Sequence, residues 1–220
     1  FHMVGGGYDL DWRFSFTFLE NYKMLLSDNF PKTTPLSVFW SLCIEEHFYI
    51  TWMIMLFLFP KKRILVFLLA CIFIAWIARY FDSMIWGNSM IQQNDLLTNM
   101  DYFAVGGILG WLVATKYNRL VKFIDSISLT KKYLYILMVI LLVIFQSQIL
   151  PEYIFILSIL RPTIIALAFT LLIAIFISPN SSIRIKESNP ISYLGKISFG
   201  LYVYHIIFVH VLFQYFLKEK

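Results

Sequence analysis

The chain has 220 residues, 60% hydrophobic and 19% aromatic against only 14% charged, with a mean hydropathy of +0.73; that balance excludes an ordinary soluble globular domain. The net charge of +5 would suit nucleic acid, but the basic residues fall in short connections between apolar runs. That is the pattern of membrane topology, and no nucleic-acid partner is expected. The runs are roughly 18 to 22 residues long, enough for a helix to cross a hydrocarbon core of about 30 Å, and they lack the alternating polarity of a β-barrel. The expectation is an all-α, polytopic transmembrane helical bundle, one membrane domain over residues 1–220, with the lipid bilayer as a partner.

Residues 1–37 carry Gly5-Gly-Gly7, Asp9, Asp11, Pro31 and Pro35 around an aromatic stretch from Trp12 to Tyr22. They read as a loop with a short interfacial or re-entrant piece, too short to span and suited by its aromatics to the headgroup level. A first span runs from about Ser37 to Phe59 and stops at Pro60-Lys-Lys-Arg63; a second runs from about Ile64 to Phe81. A third covers about Asp101 to Thr115, extendable at its start, and a fourth about Tyr133 to Ser147. A fifth covers about Ile154 to Ile177, with Pro162 near its beginning, and a sixth about Ile197 to Leu217. The expected count is about six.

Lys and Arg number three in 60–63, none in 82–100, five in 116–132, none in 147–152 and three in 178–196. By the positive-inside rule the basic connections face the cytoplasm, so Trp40, the 82–100 connection and the C-terminus face outward. Cys43 and Cys71 are the two cysteines; they have no metal-ligand spacing and read as small apolar packing residues, so no metal site is expected. The chain opens on Phe1 without a signal-peptide pattern, and the expectation is a fragment preceded by further membrane helices.

Against this apolar background, Glu45, Glu46 and His47 stand in the first span. An ionised residue at a helix centre costs roughly 2.5–3.5 kcal/mol, so these side chains either snorkel from the outer interface or face protein, water or a basic partner. Ser41, Glu45, Phe48 and Trp52 share one face while Leu42, Glu46, Tyr49 and Met53 share the neighbouring stripe, so the two glutamates diverge by about 100°. Arg79 closes the second span. It pairs with Asp82, snorkels, balances Glu45 or Glu46, or clamps a polar substrate. Asp101 reads as an N-terminal cap of the third span, and Gly106-Gly107 as a close-packing point. His205, taken as eight residues into the last span and about 12 Å deep, reads either as a histidine bonded to a neighbouring helix or as a functional group. Ser41, Glu45, Glu46, Arg79, Asp101 and His205 therefore gather in the outer half of the bundle, where they suit acid–base chemistry on a polar substrate or a proton-coupled transporter. Residue chemistry leaves the two open.

Trp40-Ser-Leu-Cys-Ile-Glu-Glu-His-Phe-Tyr49 resembles the Trp-Ser-Leu-Ser-Val-Glu-Glu-Gln-Phe-Tyr signature of the acyltransferase 3 family, bacterial membrane O-acyltransferases. Met100-Asp101-Tyr-Phe-Ala-Val-Gly-Gly107 and Ile197-Ser-Phe-Gly-Leu-Tyr-Val-Tyr-His205 resemble two further segments of that family in order and spacing. His47 and Cys43 depart from the usual Gln and Ser. The resemblance implies a multi-pass protein of the bacterial cytoplasmic membrane that moves an acyl group, often acetyl, from acyl-CoA to a hydroxyl of an extracytoplasmic carbohydrate or a small molecule. Acyl-CoA is then the donor substrate, with no bound cofactor. It marks Glu45, Glu46 and His205 as catalytic, and Trp40, Ser41, Tyr49, Arg79 and Asp101 as substrate-binding. The family also carries Arg/Lys, ten residues, then a catalytic His; here positions 36, 194 and 199, eleven before His47, His205 and His210, are Leu, Leu and Phe. That base is expected upstream of Phe1. The rival readings are a proton-coupled transporter and an inactive membrane subunit.

Overall fold

The computed structural model describes residues 11–27, 29, 39–85, 95–179, 181, 183, 187–212 and 215, and every regular element among them is helical. In chain order these are α1 (Trp12–Phe16), α2 (Glu20–Ser27), α3 (Phe39–Leu58), a single 3₁₀ turn (Lys61–Arg63) and α4 (Ile64–Ile85). Then come α5 (Leu96–Ser126), α6 (Leu129–Ile144), α7 (Gln146–Ile149), α8 (Phe155–Ile177) and α9 (Pro190–Leu212). The glycine run 5–7, Pro31 and Pro35 lie outside the described residues. Four helices there have the length and apolarity to cross a membrane: Ser41–Leu58, Lys61–Met84, Leu96–Ser126 and Phe155–Ile177. Of the other two expected spans, α6 has only 16 residues, and α9 has 23 but several of its side chains lie outside the description.

Two compact units make up the chain, Phe1–Tyr49 with Ile185–Lys220 and Ile50–Arg184. In the first, α1 and α2 form the short piece expected before the first span. Asp11 caps α1, accepting from the Arg13 backbone N–H at 3.1 Å and from its guanidinium at 2.9 and 3.1 Å. That guanidinium holds the Asp11 carboxyl below its usual range. Phe18, at φ 55°, turns the chain from α1 into α2, a left-handed conformation that costs a non-glycine residue about 1–2 kcal/mol. The same turn is held by the Leu19 N–H on the Phe14 carbonyl at 2.8 Å. Glu20, Asn21 and Met24 of α2 are buried, together with Cys43 and Ile44 of α3.

The second unit is organised by α4, α5 and α8, with α6 against α8. In a membrane the contact between helices comes from close packing, because lipid tails are as apolar as leucine. Leu68, Cys71 and Ala104 form one buried cluster beneath Trp52, Phe67, Met100 and Trp111. A second cluster joins Leu109 and Ile124 to Ala174. Of the two adjacent glycines, Gly107 makes the close approach: a Cβ there would lie 2.8 Å from Leu68 Cδ2, whereas one at Gly106 would meet nothing within 4 Å. Cys43 and Cys71 are both free and buried, as packing residues should be.

Two boundaries differ from the sequence expectation. The third span continues to Ser126, with a break in helical geometry at Lys116 (φ −136°, ψ 28°). Charges end a membrane crossing but do not end a helix, and between Thr115 and Ser126 there is neither Gly nor Pro to stop it. At the break, the Lys116 ammonium lies over the Trp111 ring, 5.1 Å from its centroid. The last helix begins at Pro190 rather than near Ile197, with the Asn189 side chain accepting from the Ile191 N–H at 2.9 Å and proline at the first helical position, where it removes no bond.

Candidate functional site

Asp95 and Asp101 set the first correction. The cap of α5 is Asp95, whose carboxylate accepts from the Leu97 N–H at 2.8 Å. Asp101 therefore lies inside the helix, one and a half turns on, and it is fully buried. Its carboxylate is committed to Arg79 of α4, which grips it with both terminal nitrogens, Nη1 to Oδ2 at 3.0 Å and Nη2 to Oδ1. Arg79 Nη1 also donates to the Ile159 carbonyl of α8 at 2.8 Å. The Thr163 hydroxyl, one turn further along α8, donates to Asp101 Oδ2 and accepts from Trp76 Nε1 at 2.7 Å. Arg79 is 2% exposed and Asp101 0%, so this is a buried, charge-balanced network that joins α4, α5 and α8.

The arrangement follows from local geometry. Trp76 and Arg79 are three residues apart and share a face of α4, while Ile159 and Thr163 are four apart and share a face of α8. A lone guanidinium in lipid would be very costly, but a planar five-donor group against a planar carboxylate is the best available compensation. Three of the five donors are used here. The guanidinium is thus engaged by Asp101 and Ile159 and buried, with its charge balanced inside the protein.

The remaining expected residues belong to the first unit. On α3, Ser41 and Glu45 are one turn apart on one side, whereas Cys43 and His47 are one turn apart on nearly the opposite side, about 200° around the helix. The Cys43 side is covered by α2: the backbone N–H groups of Glu20 and Asn21 face the thiol, and the Tyr22 and His47 rings lie 5.4 Å apart. The Ser41 side meets α9, where the Ser41 and Tyr202 hydroxyls are hydrogen-bonded. Glu45 follows Ser41 along this side; Glu46 points between the two. Both glutamates are half-buried. Tyr49 is 52% exposed and lies beside Phe48, ring centroids 6.0 Å apart. Trp40 is in α3, but its side chain lies outside the described residues.

His205 is fifteen residues beyond Pro190, about 22 Å along the helix rather than 12 Å. Its ring is exposed, and its described hydrogen bond is not to a neighbouring helix: Nδ1 meets the Tyr202 carbonyl of its own helix.

Trp76, Thr163 and Glu20 are not marked by the sequence, and Tyr202 only as part of a motif. Thr163 and Trp76 look like ordinary members of apolar helices, and only their partners reveal them. Glu20, buried and accepting from the Ser15 hydroxyl at 3.0 Å, is hidden in a stretch read as loop. Arg161 did carry a signal, as a cation inside the run 155–177; it is paired with Glu152, which precedes α8.

A family model described as an acyltransferase domain, of the acyltransferase 3 type, matches residues 1–219. No curated protein and no solved structure matches the chain.

Proposed function

Because the chain belongs to the acyltransferase 3 family, we propose that it works as a membrane O-acyltransferase. It takes an acyl group, acetyl in the simplest case, from acyl-CoA at the cytoplasmic side and delivers it to a hydroxyl of an extracytoplasmic carbohydrate or small molecule. The observation that carries this reading is the placement of Glu45 and Glu46, two half-buried carboxylates in a helix apolar enough to cross a membrane, within the motif that resembles the family signature.

In the proposed reaction a histidine base takes the proton of the acceptor hydroxyl, and the oxygen attacks the thioester carbonyl carbon. A C–O bond forms, the C–S bond breaks, and coenzyme A leaves as its thiol after taking up the proton. Glu45 or Glu46 orients the base or the acceptor. Arg79, closed on Asp101, contributes by fixing the helix ends rather than by meeting the substrate. Membrane vesicles containing the full-length protein, supplied with radiolabelled acetyl-CoA, test the reading by transfer of label to membrane or surface material. Glu45→Gln and Glu46→Gln should each insert normally and lose transfer. Wild-type transfer in both would remove the carboxylates from the site.

A further inference from the structure

We infer that the start of α6, together with Lys132, is a binding site for a phosphate ester. Lys132 is 5% exposed. It shares a face of α6 with Tyr135 and Val139. The Tyr135 hydroxyl donates to the Ala168 carbonyl of α8 at 2.9 Å and Val139 is buried, so this face is turned to α8. Among the described residues the Lys132 ammonium has neither a hydrogen bond nor an ion pair. The carboxylate closest in sequence, Asp125, is bonded instead to the Ser178 hydroxyl at 2.6 Å. An unpaired cation is costly to bury, and this one stands near the positive end of its own helix, where the macrodipole repels it. The first turn holds no acidic residue, and Lys131 adds a second cation. An anion at the helix start would relieve both costs.

The helix start is open to one. Ser128 caps α6 without a side-chain hydrogen bond, so the N–H groups of Leu129, Thr130 and Lys131 have no acceptor within the helix, and residues 128–131 are exposed. Helical side chains lean toward the N-terminus. Lys132 is four residues, about 6 Å, from Ser128, a distance that a lysine side chain spans. Its ammonium and the backbone N–H groups thus address the same end of the helix, which is the donor set of a phosphate site. By the distribution of basic residues this end of α6 faces the cytoplasm. Two phosphate esters are at hand there: coenzyme A, with its 3′-phosphate and diphosphate, and the headgroups of anionic lipids. The choice of coenzyme A as the bearer rests on the acyltransferase reading; the site itself does not.

The test titrates the full-length protein, in a maltoside detergent that carries no phosphate, with coenzyme A and separately with a short-chain phosphatidylglycerol, by calorimetry. At least one of them should bind. Lys132→Met keeps the length of the side chain and removes its charge, and should weaken that binding about tenfold or more, the worth of a hydrogen bond to a charged group. Leu129→Pro deletes one N–H at the first helical position, where proline fits and where Ser128 already has the extended conformation (φ −60°, ψ 150°) that precedes it; it should weaken binding about threefold. Without ligand, Lys132→Met should melt no lower than the wild type, since it discards an unpaired charge. A lower midpoint overturns the inference, because the ammonium would then have a partner within the fold. So does a failure of both compounds to bind, or binding left unchanged in both variants. Coenzyme A binding that the variants weaken assigns the donor as the bearer, and phosphatidylglycerol binding alone assigns a lipid to the same site. Should coenzyme A bind there and the protein transfer no acyl group, the phosphate site stands and the acyltransferase reading falls.

Discussion

Asp101→Asn is the most informative single change in the second unit. The substitution keeps the shape of the side chain but removes the charge that balances Arg79, which is 2% exposed. It also turns one of the two oxygens gripped by the guanidinium into an N–H₂ group that opposes it. Breaking a buried ion pair from one side costs about 3–5 kcal/mol, because the surviving charge is left uncompensated. At about 1.4 kcal/mol per tenfold, the folded-to-unfolded ratio should fall between a hundredfold and a few thousandfold. Removing both charges together, Arg79→Met with Asp101→Leu, leaves no orphaned ion, and such replacements are often neutral or stabilising. The assay is reversible unfolding of the purified protein in mixed micelles, followed by tryptophan fluorescence, for the wild type, Asp101→Asn, Arg79→Met and the Arg79→Met/Asp101→Leu double variant. A loss under about 1 kcal/mol for Asp101→Asn, or a double variant as unstable as the worse single, would refute the reasoning. The same set separates structure from chemistry: if Arg79 only positions helices, acyl transfer returns with stability in the double variant.

Gly107→Leu should destabilise the α4–α5 contact by about 1–3 kcal/mol, the usual cost of overpacking, because its Cβ alone would meet Leu68 at 2.8 Å; Gly106→Leu, with nothing within 4 Å, should be near neutral in the same unfolding assay. Thr163→Val keeps the volume but deletes the hydroxyl between Trp76 and Asp101. It should cost about 1.5–3 kcal/mol, the worth of a hydrogen bond to a charged group, and blue-shift the Trp76 emission. For Asp11, the lowered carboxyl pKa means that its stabilising effect on α1 is present above the ordinary carboxylate range and is lost as pH falls through the lowered value. Amide exchange at residues 13–16, corrected for intrinsic rates, should lose protection on acidification in the wild type but not in Asp11→Asn.

Much of this architecture is legible in the chain itself. The apolar runs fix α3, α4 and α8 to within a few residues, since Pro60-Lys-Lys-Arg63 and Pro151 punctuate them and a membrane crossing demands length. The polar residues that matter near α3 stand out for the same reason, because Glu45 and Glu46 are expensive where they are. What the chain does not display is who pairs with whom. Arg79 and Asp101 are 22 residues apart, and Thr163 is 62 further on; their meeting is a property of three packed helices. Asp101 looked like a cap because an aspartate before an apolar run usually is one, yet Asp95 has the free turn and Asp101 the buried guanidinium. The length of α5 is not legible because the charges that end its apolar run after Thr115 do not end the helix, which continues to Ser126. Tyr202 was legible only as part of a motif, with its hydroxyl bond to Ser41 set by the approach of two distant helices.

Pro162 lies between the two α8 groups that the network holds, the Ile159 carbonyl and the Thr163 hydroxyl. A helix interrupted by proline is a natural swivel, since the missing N–H loosens its ladder at that turn. Here the swivel is bolted on both sides: turning α8 about its axis, or sliding it by one residue, would strip the guanidinium of its carbonyl and the carboxylate of its hydroxyl at once. The loosened turn at the proline is therefore held rather than free to move, and α8 serves as a post for α4 and α5. Whatever travel the turnover cycle needs must come from elements that carry no such bolt.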